Sequence, residues 1–267
     1  MSLAWWRWRR GGGKPFDVSE NRRDLIRRLA PGKSFLDVGG MFHVAGEASF
    51  LAEQAGATKV VLLDGMDPSE EFQAKHAARS STVRYVQGDL HDSGLVEELG
   101  VFDVVLCGGV IYHSPNPYLQ LEHLRRLTGE HLLLGTHLIP EVPGIPNACI
   151  FYPDMPSAAR EAFARVHRER RPENPLVGLT TPFDRTPMTG YVNFWWGMTL
   201  SALRAMLGVA RFEVVEEFTL SPLFADVLAR PIGGESLIPP PELLRELGEA
   251  RRAGFPEGST PAWAESP

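Results

Sequence analysis

Five apolar segments, of which the first four are each followed by a segment with helical spacing, dominate residues 34–136. The apolar segments cover residues 34–38, 59–63, 82–86, 102–106 and 131–136. Strands that alternate with helices at this interval form right-handed βαβ units on a parallel sheet with helices on both faces. The alternation stops at residue 140 and resumes with a helix at 199–207 and strands at 212–218 and 224–229. The pattern predicts an α/β fold with a doubly wound, Rossmann-like and mostly parallel seven-stranded sheet, and an insertion after strand 5.

The rest of the chain divides into an N-terminal arm, an insertion and a tail. Residues 1–16 are basic and aromatic, and could form a loosely packed arm, fold over an active site or touch an anionic membrane surface. Residues 17–233 are predicted to form the α/β domain. A connection as long as 140–198 within a compact domain is usually functional, so we expect it to build a substrate site. Residues 234–267 are rich in Pro and Glu, and we expect a peripheral tail.

Composition excludes several classes of function. Two cysteines, Cys107 and Cys149, are too few for a disulfide framework or for a cysteine-bound zinc or iron–sulfur site, so no metal is expected. No stretch approaches the roughly 20 apolar residues of a transmembrane helix, and the N-terminus lacks the apolar region of a secretory signal. The net charge of −6 argues against a nucleic-acid partner. We therefore expect a cytoplasmic protein, and the sequence does not indicate its oligomeric state.

A glycine-rich turn follows the first predicted strand, in the segment Phe35-Leu36-Asp37-Val38-Gly39-Gly40. In doubly wound sheets, ligands bind beyond the carboxyl ends of the strands, and the first turn needs glycine where the backbone approaches the ligand. The spacing is neither G-x-G-x-x-G nor that of a P-loop. A neutral or cationic ligand is therefore favoured over a polyphosphate.

Three acidic residues stand at three successive strand ends. Asp37 can orient the glycine loop or reach an ammonium group, Asp64 can accept both hydroxyls of a ribose, and Asp89 can accept the amino group of adenine. Taken singly, each could be only a helix cap or a turn former. Together they describe an adenosine that carries an amino acid and no phosphate, which is S-adenosylmethionine.

These segments resemble the motifs of the class I S-adenosylmethionine-dependent methyltransferases over residues 33–232. One departure is the longer loop at 41–45, after Gly40. The resemblance implies that the cofactor is S-adenosylmethionine and that it contacts Asp37, Gly39, Gly40, Asp64, Gly65, Asp89, Leu90, Cys107 and Tyr112. Methyl transfer is an in-line displacement on an activated sulfonium, so the protein mainly aligns donor and acceptor, and needs a base only for a protonated acceptor.

Candidates for catalysis and acceptor binding come from the loop after the fourth strand, the fifth strand and the insertion. In a methyltransferase the loop places Tyr112 and His113 near the methyl group, and His113 or His137 is the candidate catalytic base; either could equally be a structural histidine. The candidate substrate residues are Tyr191, Asn193, Trp195 and Trp196. Their aromatic character suits a flat or apolar acceptor, or an amine through cation–π contact. They could also simply pack the insertion onto the sheet.

This sequence is more similar to one branch of the family than to the others. Residues 109–113, 121–124 and 191–199 are similar to the tRNA wobble-uridine carboxymethyltransferases, which use a carboxylated cofactor. In that branch an N-terminal lysine, the tyrosine matching Tyr112 and an arginine opening the last strand hold the extra carboxylate. Here Lys14 and Tyr112 can match the first two, but Phe224 replaces the arginine, and a buried carboxylate without a cation is costly.

We therefore predict an S-adenosylmethionine-dependent methyltransferase that acts on a small-molecule acceptor, by O- or N-methylation. The acceptor is expected to be aromatic or to bear an amine. Modification of tRNA at a wobble uridine is the alternative function, although the acidic net charge fits it poorly.

Overall fold

The computed structural model describes residues 18–170, 183–186, 193–221 and 223–234. The predictions made for the arm at 1–16, including Lys14, for Tyr191 and for the tail after residue 234 lie outside the described residues.

Seven strands form one sheet in the order β3-β2-β1-β4-β5-β9-β8. The strands are β1 (Ser34–Val38), β2 (Lys59–Asp64), β3 (Arg84–Gln87), β4 (Phe102–Gly108), β5 (Thr128–His137), β6 (Cys149–Phe151), β7 (Trp196–Met198), β8 (Phe212–Ser221) and β9 (Phe224–Pro231). The helices are α1 (Glu20–Leu29), α2 (Glu47–Gln54), α3 (Glu70–Arg79), α4 (Ser93–Leu99), α5 (Pro117–Leu127), α6 (Ser157–Arg170) and α7 (Leu200–Val209). β1 to β5 are parallel, and at the edge β9 pairs antiparallel with β5 and β8 pairs antiparallel with β9. The predicted Rossmann-like, mostly parallel fold is confirmed.

Both faces of this sheet are buried, because successive side chains of each strand point to opposite sides. In β1, Phe35 packs into the apolar cluster that contains α1 and α2, whereas Leu36 packs into the cluster that contains α4, α5 and α7. Burial on both faces explains why the strands appear in the sequence as nearly continuous apolar runs.

The insertion after β5 contains a small second sheet, in which β6 pairs with β7 in antiparallel orientation. The amide of Ile139 donates to the carbonyl of Met198, which anchors β7 beside the end of β5. The insertion was expected, but its short strands β6 and β7 were not predicted. The chain order reverses between β1 and β4, and the crevice at such a reversal is where doubly wound sheets bind ligands.

Candidate functional site

The turn after β1 can be built only with glycine. Gly39 has φ +80°, and a Cβ at this position would overlap with the side chain of Val110. A Cβ at Gly40 would overlap with the carboxylate of Asp37. Glycine at both positions therefore lets Val110 and Asp37 pack directly against the backbone of the turn. We call this turn the glycine cradle, because a backbone without side chains is what a closely bound ligand requires.

Asp37 is buried under this turn at the end of β1. The hydroxyl of Ser49, on α2, donates to its Oδ2 at 2.7 Å. Burial raises the pKa of Asp37 to about 6, while the bond from Ser49 opposes the rise and the charge of Asp64 adds to it. A carboxylate held in such surroundings is stabilised by a positively charged ligand group, which lowers the cost of ionisation.

Asp64 ends β2 and is also buried. Its Oδ2 accepts from the amide of Met41 and its Oδ1 from the amide of Met66, each at 2.9 Å. Burial raises its pKa, and the backbone donors oppose the rise. The bond from Met41 fixes the start of the long loop after Gly40. A carboxylate has about four acceptor positions, so Asp64 can still accept from a ligand hydroxyl.

The other predicted cofactor residues follow β2, β3 and β4. Gly65 is exposed beside Asp64, and Asp89 is partly exposed and accepts from both the amide and the ring Nδ1 of His91. Leu90 is buried, and its carbonyl lies 2.6 Å from Nδ1 of His123. Cys107 is part of the core, where burial raises its thiol pKa to about 12. Only the backbone of Cys107 can therefore face a cofactor.

Arg22, on α1, is a site residue that the sequence reasoning missed. Its guanidinium lies over Gly108 and Gly135, and a Cβ at either glycine would come too close to it. The register places Gly108 on β4 beside Gly135 on β5, and Gly135 beside Asp226 on β9. The two glycines therefore leave room for the side chain of Arg22, which reaches the buried carboxylate of Asp226. Nε and Nη2 of Arg22 donate to Oδ1 of Asp226 at 3.1 and 2.5 Å, and Ser19 Oγ donates to Oδ2 at 2.8 Å.

This arrangement brings a mostly buried cation to the carboxyl ends of β4 and β5. Nη1 of Arg22 lies beside Gly108 and makes no hydrogen bond in the described part of the chain. Burial raises the pKa of Asp37, Cys107 and Tyr112, and the charge of Arg22 opposes that rise in each of them. A guanidinium with one edge engaged by an acid can still offer its other edge to a ligand carboxylate.

An aromatic box lies at the ends of β4 and β5, formed by Tyr112, His113, His137, Phe194 and Phe224. The ring of Tyr112 lies 4.2 Å from His113, 4.8 Å from His137 and 4.6 Å from Phe194 between centroids. His137 is paired with Phe224 across β5 and β9, and their rings lie 5.3 Å apart. The structure thus brings both candidate catalytic histidines together with Tyr112.

His113 is held as a neutral ring. Its Nδ1 lies 2.7 Å from the carbonyl of Asn193, to which only a protonated Nδ1 can donate. Burial lowers the pKa of His113 to about 4, and the bond to Asn193 opposes the shift. The ring therefore presents an unprotonated Nε2, which can accept a hydrogen bond but is a weak base.

The candidate substrate residues of the insertion have different settings. Asn193 is buried, and its side-chain amide bonds the backbone of Asp184 through both Oδ1 and Nδ2, at 2.9 and 2.6 Å. The amide of Trp195 donates to the carbonyl of Tyr112, while its ring packs against Phe183. Nε1 of Trp196 donates to the carbonyl of Pro115. These bonds tie the insertion to the loop after β4.

Residues 36–130 match the family model described as "Methyltransferase domain". The chain is an S-adenosylmethionine-dependent methyltransferase. The match spans β1 to the start of β5, so it covers every predicted cofactor residue from Asp37 to Tyr112. A search of curated proteins found no match to this methyltransferase.

Solved structures with bound cofactor or product share the fold of this methyltransferase. The N-terminal domain of EvdMO1 with SAH bound is 18% identical, with 81% of this chain and 83% of that chain covered and a TM-score of 0.53. The Burkholderia thailandensis 1,6-didemethyltoxoflavin-N1-methyltransferase is 14% identical, with 80% and 78% covered and a TM-score of 0.53. Magnesium protoporphyrin IX methyltransferase from Synechocystis PCC 6803 is 18% identical, with 86% and 95% covered and a TM-score of 0.52.

Among the helices of the described residues, none combines the length and apolar character that a membrane span requires. Within the same part of the chain, His, Cys, Asp and Glu side chains form no group of three or more that could hold a metal ion.

Proposed function

We propose that this methyltransferase transfers a methyl group to oxygen or nitrogen of a small-molecule acceptor. The observation that carries the proposal is the aromatic box, whose rings cluster at the ends of β4 and β5. A wall of such rings suits a flat or apolar molecule. Structures of the same fold include enzymes named for toxoflavin and porphyrin substrates, which are flat small molecules.

The cofactor would be held by groups at the ends of the four strands β1 to β4. Asp37 would face its ammonium group, Asp64 its ribose hydroxyls and Asp89 its adenine amino group. The methionyl carboxylate would lie against Nη1 of Arg22, beside Gly108. Bound S-adenosylmethionine supplies an electrophilic methyl group on a sulfonium, and everything else is alignment by the protein.

The residues of the box would then orient the acceptor and exclude water. His113 offers an unprotonated Nε2 that can accept a hydrogen bond from the acceptor, but its lowered pKa of about 4 makes it a poor final holder of the proton. We therefore assign the base role, where the acceptor needs one, to His137. Tyr112 and Phe194 would press the acceptor toward the methyl group.

One observation supports the alternative function with a carboxylated cofactor and a tRNA acceptor. Arg22 places a buried cation 6.0 Å from the ring centroid of Phe224, near the position where the related branch carries an arginine. Its pairing with Asp226 offsets part of that charge, and the net charge of −6 disfavours tRNA. Ordinary S-adenosylmethionine and a small acceptor remain the preferred assignment.

The deciding experiment is transfer of a radiolabelled methyl group from S-adenosylmethionine. The acceptors are a panel of phenols, carboxylic acids, heteroaromatic amines and purified total tRNA. We expect label in at least one small molecule and none in tRNA, with His137→Gln reducing transfer to protonated acceptors. Label in tRNA, or incorporation that requires the carboxylated cofactor, would overturn the proposal.

A further inference from the structure

A chain of hydrogen bonds joins the loops that follow β3 and β4. Nδ1 of His91 lies 2.8 Å from Oδ1 of Asp89, and Nε2 lies 2.7 Å from Oγ of Ser114. Ser114 is buried, His91 is mostly buried and Asp89 is partly exposed. The chain therefore runs from the interior of the loop that carries Tyr112 and His113 to a carboxylate that faces outward.

The donors in this chain all point toward Asp89. The hydroxyl of Ser114 accepts from the amide of Asn116 at 3.0 Å, so its own proton is available for Nε2 of His91. With Nε2 accepting, the ring proton of His91 lies on Nδ1 and is donated to the carboxylate. One tautomer of His91 thus satisfies all three groups.

His91 contacts the side chain of Asp89, whereas His123 contacts the backbone of the next residue, Leu90. Nδ1 of His123 bonds the carbonyl of Leu90 and so fixes the backbone of the same loop. The carboxylate of Asp89 is 40% exposed, and a group so exposed loses rotamer freedom when it binds a ligand. The bond from the His91 ring adds to the bond from the His91 amide, at 2.9 Å, and further restricts the carboxylate before the ligand arrives.

We propose that His91 is a positioning residue for the adenine end of the cofactor. It aligns Asp89 to accept the adenine amino group, and through Ser114 it links this edge of the site to the loop bearing the aromatic box. The inference rests on the proposed role of Asp89 in cofactor binding. It predicts that removal of His91 weakens recognition of the amino group rather than binding of the whole nucleoside.

The test compares two ligands by titration calorimetry: S-adenosylhomocysteine and S-inosylhomocysteine, in which hypoxanthine replaces adenine. The wild-type protein should prefer the adenine ligand by tenfold or more, since a hydrogen bond to a charged group contributes about that factor. In His91→Ala the preference should fall to about twofold. His91→Asn keeps a donor near Nδ1 and should retain most of the preference, whereas His91→Gln, with its amide near Nε2, should retain less.

The control is His76→Ala, because His76 lies on α3 and is hydrogen-bonded to the carbonyl of Val83. It takes no part in the hydrogen bonds that join Asp89, His91 and Ser114. Its preference should equal that of the wild type. Ser114→Ala serves as a second variant if His91→Ala does not fold, and should lower the preference by a smaller factor. A folded His91→Ala that retains the full adenine preference would overturn the inference and leave the cofactor assignment intact. A wild-type protein that binds neither ligand would overturn both.

Discussion

The carboxyl ends of β1, β2 and β3 differ in chemistry from those of β4 and β5, although all five strands belong to one sheet. The first three strands end in the carboxylates of Asp37, Asp64 and Asp89, which accept hydrogen bonds from backbone amides or from neighbouring side chains. At the ends of β4 and β5 lie the rings of the aromatic box, with one cation, Arg22, which is paired with Asp226. The first half is thus suited to a ligand rich in donors and positive charge, and the rings of the second half to an apolar acceptor.

Burial has opposite effects on the two halves. It raises the pKa of Asp37 to about 6 and lowers that of His113 to about 4. In both places the neutral form is favoured, but only Asp37 is positioned to recover its charge when a cationic ligand binds. The comparison predicts that changes in the acidic half alter cofactor affinity, whereas changes in the box alter the acceptor reaction.

The largest effect is expected for Asp64→Ala. The substitution removes the acceptor for two backbone amides and for the proposed ribose hydroxyls, so the Kd for S-adenosylmethionine should rise by about 100-fold or more. Isothermal titration measures it, with Asp67→Ala on the following exposed turn as the matched control. Unchanged affinity in a folded Asp64→Ala variant would contradict the assignment of this strand end to ribose.

A smaller loss is expected for Arg22→Met. The proposed carboxylate contact should be lost, raising the Kd for S-adenosylmethionine by about 30-fold. Because the change leaves Asp226 buried and unpaired, it is made together with Asp226→Asn. Arg27→Met, on the exposed side of the same helix, is the control. An equal loss of affinity for decarboxylated S-adenosylmethionine would show that Arg22 supports the fold and does not bind the carboxylate.

The cofactor half could be predicted from the sequence because its residues are local. The strand, the two glycines and Asp37 form one continuous segment, and Asp64 and Asp89 directly end or follow their strands. The main strands were recognisable as apolar runs for the same reason. The strands β6 and β7 have three residues each and pair across the insertion, so their periodicity carries too little signal.

Contacts between distant residues could not be predicted. Arg22 and Asp226 are 204 residues apart and meet only because β9 lies next to β5. Ser114 and His91 come together through the packing of two loops. Asn193 was named as a candidate substrate residue, but the bonds between its side chain and the backbone of Asp184 were not predicted. Nor was the bond between its carbonyl and Nδ1 of His113, which fixes the tautomer of that ring.

Asp37→Asn should separate stability from cofactor binding. The folded protein keeps the proton of Asp37 up to about pH 6, whereas the unfolded chain loses it near pH 4, so the free energy of unfolding of the wild type falls as pH rises through this window. At pH 7 the variant should gain about 2 kcal/mol, after allowance for a weaker bond from Ser49. Its affinity for S-adenosylmethionine should fall about tenfold. Urea denaturation measures the change in stability, and titration calorimetry measures the change in affinity. Asp24→Asn, at an exposed position, is the control. An Asp37→Asn variant that is less stable than the wild type at pH 7 would contradict the assigned pKa shift.

The smallest effect is expected for His113→Asn, and its direction is opposite to that of Asp37→Asn. The side-chain amide of the new asparagine can still donate to the carbonyl of Asn193. The unfolded chain protonates this histidine below about pH 6.5 but the folded protein only near pH 4, so stability is lost as pH falls through that window. The loss is about 2 kcal/mol at pH 5 and should be absent in the variant. His43, whose pKa burial also lowers, acts in the same direction and remains in both proteins.

Between pH 4 and 6 the contributions of Asp37 and His113 have opposite signs, so they largely cancel in the wild type. Urea denaturation across this range should therefore give a rising slope of stability with pH for Asp37→Asn and a shallower or falling slope for His113→Asn. The double variant should return toward the wild-type profile, because Asp37 lies on β1 and His113 in the loop after β4, and their effects should add. Parallel profiles for the two single variants would show that the acidic half and the aromatic box do not differ in the way that their burial implies.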